Sequence, residues 1–197
     1  MSEMRNNRTD VPRTFRPKLS FYKANARGTG CAMRMELHPA HGDVDGSIMV
    51  GLANQMTIGD RRGPVPVYPH FDWENAIYVK LDFSDLSKML QVFRGECESL
   101  GEEKGLVHQS PRGLTYIKLA HQVDPSPGYA LEVTRCAGEG RHAVRAFMPI
   151  TPAEALGLTA AIEGSLGVIC FGIPMVIERD TTAYHQAVKG MRNASAA

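Results

Sequence analysis

The stretch AIYVKLDF, residues 76–83, places an aromatic ring and a cation two residues apart, at Tyr78 and Lys80. Read with the two-residue period of a β-strand, Ile77, Val79, Leu81 and Phe83 share a core face, and Ala76, Tyr78, Lys80 and Asp82 share the other. The spacing returns in LTYIKLAH, residues 114–121, as Tyr116 and Lys118, and in reverse in HAVRAFMPI as Arg145 and Phe147. A ring beside a cation on an open sheet face suits one chemistry above others. The ring stacks on an unpaired base, at roughly 1–3 kcal/mol per base, while the cation follows phosphates. Duplex DNA hides its base faces and would gain little. Tyrosine also favours strands for packing, and lysine guards sheet edges, so one such pair would be background. Three pairs at corresponding places argue for binding, with a face that meets another subunit as the competing explanation.

The elements that must hold these residues repeat. KLSFYKAN is an extended stretch followed by the turn-like ARGTG. CAMRMEL then alternates, with Met33, Met35 and Leu37 inward and Ala32, Arg34 and Glu36 outward. SIMVGLA alternates through Ile48, Val50 and Leu52, and a Gly/Pro loop over 59–70 leads through FDWEN into the Tyr78 strand. Ser84 is the expected cap of a helix that aligns Leu86, Met89, Leu90 and Phe93 on one face. The second half follows the same order: GLVHQS, LTYIKLAH, YALEVTRC and HAVRAFMPI as strands, then TPAE. The last combines a capping box with proline at the first helical position. The following helix carries Leu156, Ala160, Ile162 and Val168, with Gly157, Gly164 and Gly167 giving it small surfaces for close packing. The expectation is an α+β fold, a tandem ββββα-ββββα repeat: two antiparallel four-stranded sheets with helices packed on one side. The inward residues are then Ile77, Val79, Leu81, Ile117, Leu119, Leu131, Val133, Val144, Ala146 and Met148. The outward ones are Tyr78, Lys80, Tyr116, Lys118, Arg145 and Phe147, with Arg34 on an earlier strand.

A chain of 197 residues with 43% hydrophobic and 22% charged residues buries a core of ordinary size. The formal net charge of +1 gives no bulk basicity, so a polyanion would have to be met by local clusters. Residues 1–17 form a basic arm, best read as a flexible solvated tail and alternatively as an arm along phosphates; residues 18–175 form one domain, with halves at 18–100 and 105–172; residues 176–197 are a tail. Cys31, Cys97, Cys136 and Cys170 make no C-x-x-C pair, which points to buried thiols in a reducing, cytoplasmic compartment and away from a disulfide framework. No apolar secretory run opens the chain. The longest apolar segment, 155–171, contains Glu163 and falls short of the ~20 residues of a membrane span, so it reads as a buried helix.

With the doubled ββββα order in place, residues 18 to 175 resemble the Whirly family of single-stranded-DNA-binding proteins and, more distantly, the mitochondrial guide-RNA-binding proteins. FDWEN, Phe71 to Asn75, resembles the family's Tyr-Asp-Trp-Glu-Lys before the fourth strand. SFYKANARGTGCAM stands where the family has its Tyr-Lys-Gly-Lys-Ala-Ala-Leu stretch, and GSIMVGLA resembles its Gly-Ser-Leu-Met-Met-Thr-Phe. GYALEVT and MPITPAEALGL fall at a second-half strand and the last helix. The resemblance implies a homotetramer that binds single-stranded DNA and/or RNA with little sequence preference, along sheets and between subunits, in DNA or RNA metabolism or transcription regulation. It also brings in Phe21, Tyr22, Lys23 and Arg27 as binding residues. The family's two-lysine motif becomes Arg27 and Thr29 here, in a longer turn, so one cation is lost. Asn75 likewise replaces a lysine. A homo-oligomeric protein-interaction scaffold without nucleic-acid binding is the alternative.

Other chemistries find less support. HPAH (His38, His41) lacks a third ligand for a metal and reads as a loop. DVDG, residues 43–46, lacks the later glutamate of a calcium loop and reads as a hairpin turn. RGTG lacks the Gly-Lys-Ser/Thr of a phosphate-binding loop. No nucleophile elbow, paired-carboxylate signature or Cys/His constellation stands out, so no enzyme activity, metal or cofactor is expected. Trp73 reads as a packing anchor.

Overall fold

A computed structural model describes residues 18–60, 62–101, 105–111, 113–124, 126–136 and 143–172. The proposed arm over 1–17 and the tail over 176–197 lie outside the described residues. The first half runs β1 (Lys18–Lys23), β2 (Cys31–His38), β3 (Ser47–Asn54), β4 (Ile77–Leu81) and α1 (Phe83–Phe93). The second runs β5 (Leu106–Ser110), β6 (Gly113–Gln122), β7 (Gly128–Cys136), β8 (Val144–Ile150) and α2 (Pro152–Phe171). Each half makes its own four-stranded antiparallel sheet, with strands in sequence order, as short connections favour.

The alternation resolves as the pattern predicts. Ile77, Val79 and Leu81 from the first sheet and Ile117, Leu119, Leu131, Val133 and Met148 from the second are buried in a single cluster. Each such side chain contributes about 1.5–3 kcal/mol by leaving water. The helices interlock the two halves. α1 follows the first sheet but packs on β6 of the second, while α2 packs on β7 and back on β2. The phenol of Tyr129 donates to Phe93 O at 3.1 Å, with the two rings edge to face at 5.1 Å. The repeat is therefore two sheets around one core. Leu37 and Val144, both expected inward, depart from expectation and are exposed, near the end of β2 and at the start of β8.

Two helix assignments change. Asp82, not Ser84, caps α1: its carboxylate accepts from Asp85 N at 2.9 Å, and Asp85 Oδ2 accepts from Asp82 N at 3.3 Å. Aspartate caps as well as serine, and an acidic residue three positions on completes the reciprocal pair. The helix thus starts two residues early, and Phe83, expected on the strand's core face, is its exposed first residue. At α2, Thr151, Pro152 and Glu154 form the expected capping box. This helix is 20 residues long and passes the length and apolarity test for a membrane span. It is not the buried helix expected. Ala155, Leu158, Ile162 and Ile169 enter the core, yet Leu156 is 74% and Phe171 85% exposed, and an added Cβ at Gly157, Gly164 or Gly167 would meet nothing. The sequence is apolar all round the helix, whereas one chain offers a partner for only one side.

Candidate nucleic-acid interface

Both sheets turn their inner faces to the shared core, so their open faces point away from each other. The pairs built on Tyr78 and Tyr116 therefore do not meet within one chain.

On the first open face, register puts Ser20, Arg34, Gly51 and Tyr78 in one row and Lys18, Glu36, Met49 and Lys80 in the next. Tyr78 is 39% exposed, and its ring lies down on Gly51. A Cβ at Gly51 would come within 2.6 Å of Tyr78 Cε1, so a glycine here is what lets the ring rest on the backbone. Lys80 is exposed and has no ion-pair partner among the described residues. Lys18 is held by Glu36 at 3.1 Å.

Arg34 is half-buried. Its guanidinium stacks 4.2 Å from the Trp73 ring centre, and its Nε is enclosed without a hydrogen bond. That contact belongs to a fold-over of the FDWEN segment onto the sheet. Phe71 bridges Gln55, and Asp72 N donates to Asn54 O at 2.9 Å. Ala32 and Ala53, on the outward face by register, are consequently fully buried. Trp73 is thus a packing anchor that also seats a cation. Asn75 donates to Asp72 from its side chain and backbone, which holds that carboxyl below its ordinary value. Tyr22, 58% exposed, packs its ring against Phe71 at 5.7 Å.

The residues drawn in by resemblance separate. Phe21 faces the core side and packs against it. Lys23 is taken by Glu154, with Nζ 2.6 and 2.8 Å from the two carboxylate oxygens. Burial opposes ionisation of Glu154, but Lys23 and the Thr151 hydrogen bonds outweigh it and hold the carboxyl below its usual value. Arg27 stands exposed on a turn of fixed shape. Asn25 Oδ1 accepts from Arg27 N and Thr29 N at 3.0 and 3.1 Å, and Gly28 takes φ +72°. Beneath it, Gln55 is almost fully buried and saturated. Its Oε1 accepts from Asn25 N and Gly30 N, and its Nε2 donates to Asn25 O and Thr57 O. A lone glutamine at the end of a strand gave no signal of this role.

On the second open face, Tyr116 lies opposite Thr134, Lys118 opposite Glu132, and Glu132 opposite Phe147. Phe147 is 42% exposed. Glu132 takes the Arg145 guanidinium in an ion pair, which leaves exposed Lys118 as the cation here without a salt-bridge partner among the described residues. Asn54 Nδ2 donates to Arg145 O at 2.9 Å, tying β8 to the end of β3. Glu132 was the residue overlooked. Strand alternation placed it on this face, but the register that sets it between Lys118 and Phe147 is tertiary.

His41 and Val44 exchange backbone hydrogen bonds at 3.0 and 3.1 Å around Gly42, so the turn falls on HGDV, two residues before the expected DVDG. Among the described residues no group of three His, Cys, Asp or Glu gathers for a metal. Of the four thiols expected to be buried, Cys31 is buried, whereas Cys97 and Cys170 are exposed and Cys136 half-buried; burial, only partly offset by a backbone hydrogen bond from Ala53, pushes the Cys31 thiol up to about 11, which makes it unreactive.

Two sheets of four strands, each half closing with a helix that grips the other half, can now be compared with solved structures. The chain aligns with WHY1 from Arabidopsis thaliana at a TM-score of 0.63 and 16% identity, covering 92% of this chain and 95% of that one. The fold is Whirly-like. The plant transcriptional regulator PBF-2 aligns at 0.59 and 15% identity, covering 90% of this chain and 88% of that chain. A guide-RNA-binding protein complex bound to a gRNA aligns at 0.52 and 15% identity, covering 78% and 91%. No family model and no curated protein matches the sequence. The core of this chain is rich in methionine, with Met33, Met35, Met89 and Met148.

Proposed function

We propose that this protein binds single-stranded nucleic acid, DNA and/or RNA, without catalysis and largely without regard to sequence. The observation that carries this is the pairing of an exposed ring with a cation free of salt bridges on each open face: Tyr78 with Lys80, and Phe147 with Lys118, the latter beside half-buried Tyr116. Stacking on the rings tolerates any base, and the cations follow the backbone. Structures of similar fold include a guide-RNA-binding complex holding its RNA and a plant transcriptional regulator, which supports a role in DNA or RNA metabolism or transcription regulation.

The assembly we propose is a homotetramer. The uncovered side of α2, with Leu156 and Phe171 in water and three glycines open to close approach, is the surface that calls for a second copy. Because the two open faces of one chain diverge, strands crossing between subunits are what would bring both faces to one polynucleotide.

The test is fluorescence anisotropy with matched single-stranded DNA, single-stranded RNA and duplex probes over a salt series, with mass measured by light scattering. Unpaired probes should bind with log Kd linear in log salt, and duplex should bind weakly. Indifference to every unpaired probe at low salt refutes binding and favours the scaffold reading. An unchanged mass for Leu156→Glu would refute the α2 assembly face.

A further inference from the structure

A carboxylate on a surface that meets a polyanion calls for a reason, and each open face carries one. Register places Glu36 in the row Lys18, Glu36, Met49 and Lys80, and Glu132 in the row Lys118, Glu132 and Phe147. Each therefore shares a row with the lysine that has no salt bridge among the described residues. The two stand on the second strand of one half and the third strand of the other, so the repeat alone does not account for the recurrence. Both are half-buried, and each holds a more exposed cation. Glu36 Oε1 lies 3.1 Å from Lys18 Nζ, and Glu132 Oε2 accepts from Arg145 Nη2. Thr134 Oγ1 donates to the other oxygen of Glu132 at 3.5 Å. The sheet does not need the Arg145 pair for cohesion. β7 and β8 are laddered from Tyr129 with Ile150 to Arg135 with Val144, and Asn54 Nδ2 fixes the Arg145 carbonyl separately.

We propose that Glu132, and Glu36 on the other face, are built-in competitors for phosphate seats at Arg145 and Lys18; this deepens the binding proposed above and rests on it. A guanidinium takes a carboxylate and a phosphate through the same donors, so the Glu132 oxygen marks where a phosphate oxygen of the strand would sit. The competitor is tethered to the same sheet, which gives it a high effective concentration. Parting the pair does not remove it. Strand alternation keeps the carboxylate on the open face between Lys118 and Phe147, where a phosphate approaching Arg145 meets like charge. Each face thereby gives up one cation and keeps one lysine beside its ring. Binding then leans on base stacking, which a single strand supplies and a duplex does not.

The experiment uses the full chain and a dT oligomer, read by anisotropy from 50 mM to 1 M salt, with folding checked by urea titration. Glu132→Gln keeps the shape and removes the charge. It should steepen the slope of log K against log salt by about 0.7, so that its gain over wild type grows about eightfold between 1 M and 50 mM. Adding Arg145→Gln to that variant should return the slope to the wild-type value, a cancellation that a merely structural role would not produce. Glu36→Gln should behave alike, with Lys18→Gln cancelling it, and carries the test alone if the first variant fails to fold. An unchanged or shallower slope in a folded glutamine variant, or a gain that survives loss of its cation, overturns the proposal while leaving wild-type binding intact. Failure of the wild type to bind any oligomer would overturn both it and the function on which it rests.

Discussion

Removing the two unengaged cations is the sharpest perturbation of the proposed interface. Lys80 and Lys118 are exposed on opposite open faces with no salt-bridge partner among the described residues, whereas Lys18, Lys23 and Arg145 answer to Glu36, Glu154 and Glu132. A lysine on a phosphate releases counterions, and for a single strand each neutralised phosphate contributes about −0.7 to the slope of log K against log salt. Losing both should flatten the slope by about 1.4 for a strand long enough to touch both faces. Over a fourfold rise in salt, from 50 to 200 mM, the wild-type advantage over Lys80→Ala/Lys118→Ala should therefore shrink by roughly sevenfold. Because the faces diverge, a short oligomer held by one face should lose only about 0.7 of slope. The assay is anisotropy titration at four salt concentrations with a long and a short oligomer. A double variant with wild-type affinity and slope on the long strand would refute the assignment. Equal flattening on both lengths would refute the divergent-face geometry.

Tyr78→Ala with Tyr116→Ala should weaken binding by roughly 1–3 kcal/mol for each base that loses its stack, with the salt slope unchanged; a changed slope would show that the rings act through charge. Glu154 has its carboxyl held low in the fold, so it contributes stability above its unfolded value and loses that contribution as pH falls through the folded value. Wild type should accordingly lose more stability than Glu154→Gln between neutral pH and the acid range, in denaturant titrations, and parallel curves would refute the Lys23 clamp. Asp82→Ala should cost about 1 kcal/mol through the lost cap of α1, while Ser84→Ala should stay within about 0.5 kcal/mol, measured by urea unfolding.

Much of this architecture was written in local pattern. Period-two alternation assigned the inward residues because a strand has only two faces, and that holds whatever the strand pairs with. TPAE announced the start of α2 because a capping box is satisfied within four residues. The same locality misled at α1, where Asp82 and Ser84 both satisfy the cap pattern and only the path of the chain chose between them. It also misled along α2, whose apolar composition implied burial that a single chain does not supply.

Sequence by itself determined the doubled ββββα order, the two faces of each strand, and the outward aromatic and cationic side chains, since these depend on backbone periodicity alone. Tertiary structure decided which of those cations remain available. Glu132, Glu154 and Trp73 claim Arg145, Lys23 and Arg34 across 13, 131 and 39 positions of chain. It also decided that helix α1 crosses to the other sheet, fusing the repeats around one core, and that the two open faces look apart. The physical reason is range. Hydrogen-bond caps and strand alternation close within a few residues, whereas charge pairing and ring stacking act between whatever side chains folding brings within a few ångströms.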